Sequence, residues 1–282
     1  MKTILEILNL STDFLKQKKI SNPRRQAENL LSDALGMSRL QLYVDFERPL
    51  TEPELDTCRK NLARRSKGEP LQYIKGFVEF CECTFIVNPH VLIPRQETEI
   101  LVEMIAKELE KLDLKEKVLW DVCCGSGCIG ISLKKRFPEL NVILSDISPD
   151  AIKVAQANAL KNEVDVKFFV GDLLEPLKDQ KADFFACNPP YISQPEFAKL
   201  DVEVKQFEPT TALISGPTGL EFYERLARDL PALSNSGLRG WMELGTGQGE
   251  RVLSLFSESP WKNCRYEPDW SGHDRFFFLE IE

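Results

Sequence analysis

Trp120-Asp121-Val122-Cys123-Cys124-Gly125-Ser126-Gly127 runs an apolar segment directly into a turn with two glycines, and Cys128-Ile129-Gly130 follows it. In open α/β sheets, ligands bind beyond the carboxyl ends of strands, and glycines there let the main chain approach them closely. The stretch therefore reads as a first strand, a ligand-facing turn and the start of a helix. Working outward, short apolar runs recur at residues 117–122, 142–145, 166–170 and 183–187, separated by helical stretches or tight polar turns. Residues 97–112 carry Ile100, Leu101, Met104, Ile105 and Leu109 at helical spacing. Residues 219–233 read as a further helix, and residues 239–244 and 275–281 as further strands. Such alternation predicts an α/β fold with a parallel sheet covered on both faces.

The chain before this region has a different texture. Ile4, Leu5, Ile7, Leu8, Phe14 and Leu15 lie at helical spacing, and Ser21-Asn22-Pro23 punctuates before a second helix carrying Ala27, Leu30, Leu31, Ala34 and Leu35 and ending at Gly36. Thr51-Glu52-Pro53-Glu54 opens another helix with a cap residue and early carboxylates. Residues 78–87 alternate, with Phe80, Cys81, Cys83, Phe85 and Val87 apolar, which suggests a hairpin. The expected organisation is a small helical domain at residues 1–76, a β-hairpin connector at 77–93 and a sheet domain at 94–282.

Acidic residues stand at three successive strand ends. Asp121 closes the first, Asp146 follows 25 residues later at the end of the second, and Asp172 follows the third. A carboxylate at Asp146 could accept both hydroxyls of a ribose, and one at Asp172 an adenine amino group. A nicotinamide dinucleotide would use the same rim, and Gly125, Gly127 and Gly130 satisfy its Gly-x-Gly-x-x-Gly spacing.

Asn188-Pro189-Pro190-Tyr191, directly after Phe184-Phe185-Ala186-Cys187, decides between these ligands. Asn188 offers a side-chain carbonyl and Pro189 a main-chain carbonyl, on a backbone stiffened by two prolines that lack competing N–H donors. Tyr191 adds an aromatic wall. Two acceptors held rigidly suit a planar nitrogen whose N–H groups must be gripped while its lone pair turns toward a methyl donor. Hydride transfer has no use for them. The tetrad therefore reads as an amide-nitrogen methylation site with S-adenosylmethionine as donor, and with no group titrating near neutrality to serve as general base.

Composition bounds the rest. The chain has 282 residues, 43% of them hydrophobic, and a formal net charge of −8. No apolar run approaches the roughly 20 residues needed to span a bilayer, and the opening segment is unlike a signal peptide, so a cytoplasmic protein with no membrane partner is expected. Eight cysteines and two histidines fall at spacings poor for zinc or disulfides, so no metal and reduced thiols are expected. Residues 1–76 carry 14 Lys/Arg against 10 Asp/Glu, and residues 77–282 carry 22 against 34. The halves are thus +4 and −12. Arg24, Arg25, Arg64 and Arg65 could help dock an acidic protein substrate.

Taken together, these motifs resemble the N(5)-glutamine methyltransferases that modify peptide chain release factors, the PrmC or HemK family. The likeness runs through Pro23-Arg24-Arg25 with Glu28, Arg64-Arg65 with Gly68-Glu69-Pro70, Phe80, Leu92-Ile93-Pro94-Arg95 with Glu97-Thr98-Glu99, the glycine turn, the tetrad, and Glu208-Pro209 with Ala212-Leu213. The resemblance implies a seven-stranded class I S-adenosylmethionine-dependent methyltransferase sheet with a five-helix domain before it. It implies that Cys123, Cys124, Gly125, Ser126 and Gly127 line the donor's methionine end, Asp146 its ribose, and Asp172 and Leu173 its adenine, with Asp121 and Asn188 also on the donor side. Asn188, Pro189, Pro190 and Tyr191 would hold the substrate glutamine, with Phe80 and Arg95 also on the substrate side. The implied partner is a class I release factor with its GGQ motif, met by a monomer that touches no nucleic acid directly. The family usually has glycine where this chain has Cys123. Two other readings fit the same residues: a methyltransferase acting on adenine or guanine amino groups of nucleic acid, which normally needs a basic cleft, and an inactive donor-binding scaffold.

Overall fold

The computed structural model describes residues 2–282, and the chain divides into two compact units. One takes in the chain as far as Gly76 together with Val202–Phe207; the other is Phe77–Asp201 with Glu208–Glu282.

The first unit contains helices α1 (Ile4–Gln17), α2 (Pro23–Leu35), α3 (Arg39–Val44), α4 (Glu52–Arg65) and α5 (Leu71–Lys75). Three of these starts have a local cause in the sequence. Thr3 and Glu6 form a reciprocal capping box on α1, as do Thr51 and Glu54 on α4, while Pro23 occupies the first turn of α2 where its missing N–H costs nothing. Gly36 closes α2 in the left-handed conformation. The apolar stripes meet in one core that includes Ile4, Leu8, Leu15, Leu30, Leu31, Leu42 and Leu55. Arg65 is 3% exposed: it donates to Gln26 Oε1, to the Glu69 carbonyl and to Glu203, which ties Val202–Phe207 to this unit. Arg65 is therefore a structural residue and not a free docking charge, and it brings a segment from deep in the sequence into the helical unit. Arg64 is bound to Glu69 and Arg24 to Glu28, which leaves exposed Arg25 as the member of the basic set with no ion pair among the described residues.

The second unit opens with a hairpin, β1 (Phe77–Phe80) and β2 (Cys83–Ile86), turned by Cys81 and Glu82 at positive φ. It is more than a connector. After α6 (Gln96–Leu109), β3 (Val118–Val122), α7 (Cys128–Arg136) and β4 (Asn141–Asp146) comes α8 (Pro149–Lys161), whose Asn158 side chain bonds both backbone groups of Ile86. Asn162 does the same for Thr84, so the hairpin is fastened to the sheet unit.

The chain continues through β5 (Lys167–Val170), β6 (Ala182–Cys187), β7 (Ile192–Ser193), α9 (Gln194–Phe197), α10 (Val202–Phe207), β8 (Ile214–Gly216), α11 (Glu221–Leu233), β9 (Ser234–Glu243), α12 (Gly249–Leu255), β10 (Trp261–Pro268) and β11 (Asp274–Ile281). The main sheet has seven strands in the order β10-β11-β9-β6-β3-β4-β5. Strands β9, β6, β3, β4 and β5 run parallel, and β11 is antiparallel to both its neighbours. This is the class I methyltransferase sheet. Successive residues feed opposite cores: Leu119, Phe184, Trp241 and Phe276 pack on one face, and Trp120, Phe185, Met242 and Phe277 on the other. Among the described residues no helix is long and apolar enough to cross a membrane.

Candidate active site

The strand order reverses at β3, because β4 and β5 extend the sheet to one side and β6 begins the other. The crevice at such a reversal is where open α/β sheets take ligands. A cleft of about 930 Å³, part of it open solvent, lies there and is lined from the carboxyl ends of β3, β4 and β6. Cys123, Cys124, Gly125 and Ser126 contribute from the first, Asp146, Ile147 and Ser148 from the second, and Asn188 and Pro190 from the third. Leu92, Pro94, Arg95 and Thr98 close one side, and Asp172, Leu173 and Phe222 another.

The glycine turn is built by close contact. Gly127 sits at φ +79, where a Cβ would fall 2.7 Å from Ile131 Cδ1 and 2.8 Å from Leu144 Cδ2. Gly127 therefore does not line the cleft; it seats α7 on the sheet and brings the preceding backbone to the cavity wall. Cys123 adopts φ +58, the left-handed region that glycine enters without cost. The Cys123 side chain is thus held on a strained backbone at the cavity wall.

Asp146 receives the Gly125 N–H on Oδ2 and the Ser148 N–H on Oδ1, both at 2.9 Å, so the second strand's carboxylate fixes the first strand's turn. Burial raises its pKa against these hydrogen bonds. Asp172 lines the cleft and pairs with Arg225 at 2.7 Å. Asp121 does not join them. It is 1% exposed, points to α7, and accepts the Gly130 N–H on Oδ2 at 2.8 Å, while Oδ1 is buried without a partner. Burial pushes it up to about 7. The expected three-acid rim is therefore a two-acid rim, because Asp121 lies one residue inside the end of β3 and its side chain alternates to the covered face.

Phe80 is also displaced from its expected place. It is 2% exposed and meets Phe85 edge-on at 5.7 Å within the core, away from the cleft lining. Arg95 does line the cleft and pairs with buried Glu208, which also accepts the Ile93 N–H.

The tetrad is held from beneath. Asn188 Nδ2 donates to Glu243 Oε2 at 2.9 Å, and Thr98 Oγ1 donates to the same oxygen at 2.6 Å. The Tyr191 hydroxyl reaches Glu243 Oε1 at 3.3 Å. Asn188 Oδ1 has no partner among the described residues and is not sealed from solvent. Pro189 and Tyr191 do not line the cleft; Pro189 is buried, and burial raises the Tyr191 hydroxyl's pKa. Glu243 was not singled out from the sequence; Thr98 enters there only within the Glu97-Thr98-Glu99 likeness, without a role, and Gln248 only within the Gly245–Gly249 run, which reads as structural. The available signal for Glu243 was a charged residue at the end of an otherwise apolar strand, Trp241-Met242-Glu243-Leu244.

A model of the PrmC N-terminal domain matches residues 6–76, and a model of the methyltransferase small domain matches residues 95–207. A release factor glutamine methyltransferase of Geobacter sulfurreducens is 43% identical over 275 residues, covering 97% of this chain and 95% of that protein. The chain belongs to the release factor glutamine methyltransferase family. A second member, from Chlamydia trachomatis serovar L2, is 42% identical over 98% of this chain and 93% of its own. Beyond the family, the hMettl16 catalytic domain in complex with the MAT2A 3'UTR hairpin 6 matches with a TM-score of 0.55 at 16% identity, over 79% of this chain and 81% of that one. That likeness is one of fold alone.

The cleft suits the donor that such a methyltransferase uses. Asp146 keeps lone pairs free for a diol after accepting two N–H groups, and Leu173, Ile147 and Phe222 offer apolar surface beside it. Cys123 to Ser126 would hold the methionine end, Asp146 the ribose, and Asp172 with Leu173 the adenine.

Proposed function

We propose that the chain transfers a methyl group from S-adenosylmethionine to the side-chain amide nitrogen of the glutamine in the GGQ motif of class I peptide chain release factors. The observation that carries this reading is the Asn188 amide. Its nitrogen is committed to Glu243, and its oxygen is left unpaired at the cleft. That oxygen would accept an N–H of the substrate carboxamide and turn the nitrogen lone pair toward the reacting methyl, while Pro189, which is buried off the cleft lining, stiffens the bend.

The donor supplies a methyl group on a sulfonium that leaves as a neutral thioether. The protein's work is then alignment. Holding the reacting atoms in line can contribute about 7–11 kcal/mol, against about 3–5 kcal/mol for general acid–base catalysis. Asn188 positions the nitrogen, Pro189 and Pro190 stiffen the bend, and Tyr191 braces it through Glu243. The proton displaced from nitrogen leaves to water.

The −12 balance of residues 77–282 supports a protein substrate with no direct nucleic-acid contact. The helical unit would dock the release factor, with exposed Arg25 the one of Arg24, Arg25, Arg64 and Arg65 that has no ion pair among the described residues. The working form would be a cytoplasmic monomer. Incubating the protein with labelled donor and release factor, then mapping the modified residue by mass spectrometry, tests the reading. Label on the GGQ glutamine is the expected result, and label elsewhere or on nucleic acid would overturn it.

A further inference from the structure

Glu243 is 2% exposed at the end of β9, where an ion costs several kcal/mol to bury unless its hydrogen bonds are satisfied. Its surroundings say what that burial achieves. A carboxamide is nearly symmetric in shape, so an asparagine can present either nitrogen or oxygen to a cavity unless a neighbour discriminates between them. An ionised carboxylate discriminates absolutely, because it accepts and cannot donate. With Asn188 Nδ2 at 2.9 Å from Glu243 Oε2, reversing the amide would set two oxygens against each other. Thr98, which donates at 2.6 Å to the same Oε2, keeps that oxygen in place.

We propose that Glu243 is a positioning residue for the methyl transfer: its ionised carboxylate locks the Asn188 amide with nitrogen inward and oxygen toward the cleft. This rests on the reading of Asn188 as the acceptor for the substrate amide. Once protonated, Glu243 carries an O–H that can donate to Asn188 Oδ1, so both orientations are satisfied and the lock is lost. The groups that face it are Thr98 and Glu97 from α6, Asn188 and Tyr191 from the tetrad, Cys128 from α7, Tyr223 from α11 and Arg275 from β11. Burial raises its pKa above the ordinary carboxylate value, against the Thr98 hydrogen bond and the Arg275 charge. The carboxylate is ionised above that pKa, so turnover should fall as pH drops through it.

Glu243→Gln separates this role from simple packing. The side chain is an isostere that can satisfy the same neighbours, but it does so equally well with Asn188 in either orientation. With the two orientations equally populated, kcat on release factor at saturating donor and neutral pH should fall about twofold. Donor Kd should stay within about twofold, since Asp146 and the glycine turn are untouched. The acid limb of the wild-type kcat profile should vanish. Wild-type kcat in the variant, or an unchanged acid limb, would overturn the proposal.

A second measurement needs no variant and no substrate. In the ¹³C,¹⁵N-labelled wild type, the Asn188 side-chain NH₂ resonances should move with the same midpoint as the Glu243 carboxyl carbon. Stationary amide resonances while the carboxyl titrates would overturn the proposal. If they move together in a protein that methylates no release factor, the substrate reading fails and the positioning role stands.

Discussion

The Gln248 side-chain amide donates to the main-chain oxygen of Tyr191 at 2.9 Å, which ties the loop after β9 to the last residue of the tetrad. The same nitrogen reaches the Gly219 carbonyl at 3.3 Å, and Gln248 Oε1 accepts the Gly245 N–H at 2.9 Å. One buried side chain thus satisfies three backbone groups from three loops. The Gly245–Gly249 run is structural, and what it supports is the floor of the site.

Gln248→Ala should therefore act on stability and turnover together. An orphaned buried polar group costs about 1–3 kcal/mol, so a loss of at least about 2 kcal/mol is expected. Denaturant unfolding would measure it, with kcat reduced more than donor affinity.

Asp146→Ala should weaken donor binding first. Hydrogen bonds to a charged group are worth about 1.5–3 kcal/mol, which is about ten- to a hundredfold in Kd. Titration calorimetry with S-adenosylmethionine would read it, and a Kd within twofold of wild type would exclude the ribose role.

Cys123→Gly should relieve the left-handed strain at φ +58. That strain is worth about 1–2 kcal/mol and is partly offset by the about 0.5–1 kcal/mol of chain entropy that glycine adds to the unfolded state. A net gain of up to about 1.5 kcal/mol with undiminished donor affinity is expected, measured by unfolding and calorimetry.

Asp121 sets a pH dependence of stability. Its native pKa, pushed by burial from 3.8 up to about 7, lies above the unfolded value, so the native state holds the proton more tightly. Its contribution is fully present below about pH 4 and is lost as pH rises toward and through 7. Asp121→Asn keeps an acceptor for the Gly130 N–H but cannot ionise. Its Tm should change less than that of the wild type between pH 5 and pH 8, whatever fixed cost the new NH₂ brings.

What could be read from the chain was what lies consecutively along it. The glycine turn, Asp146 and the tetrad are each a few adjacent residues, and each stands at the cleft or builds its wall. Thr98 and Glu243 meet Asn188 across separations of 90 and 55 residues, and only the register of β6 with β9 and the packing of α6 against β9 bring them together. Asp121 misled because strand alternation turns neighbouring side chains to opposite faces, so one residue of offset removed it from the rim. Strand β10 went unread because it is an edge strand with water on much of both sides, which leaves no apolar period to detect. Arg64 and Arg65 looked alike in sequence, yet one is half-exposed and the other buried against Gln26 and Glu203.

The proposed function sets the Asn188 carboxamide oxygen against the substrate nitrogen. It is tested most directly by Asn188→Ala, assayed in single turnover with donor and release factor and mapped by mass spectrometry at the glutamine. The methyl-transfer rate should fall by about a hundredfold or more while the Kd for S-adenosylmethionine stays within about threefold. A variant that methylates the same glutamine at close to the wild-type rate would contradict the account.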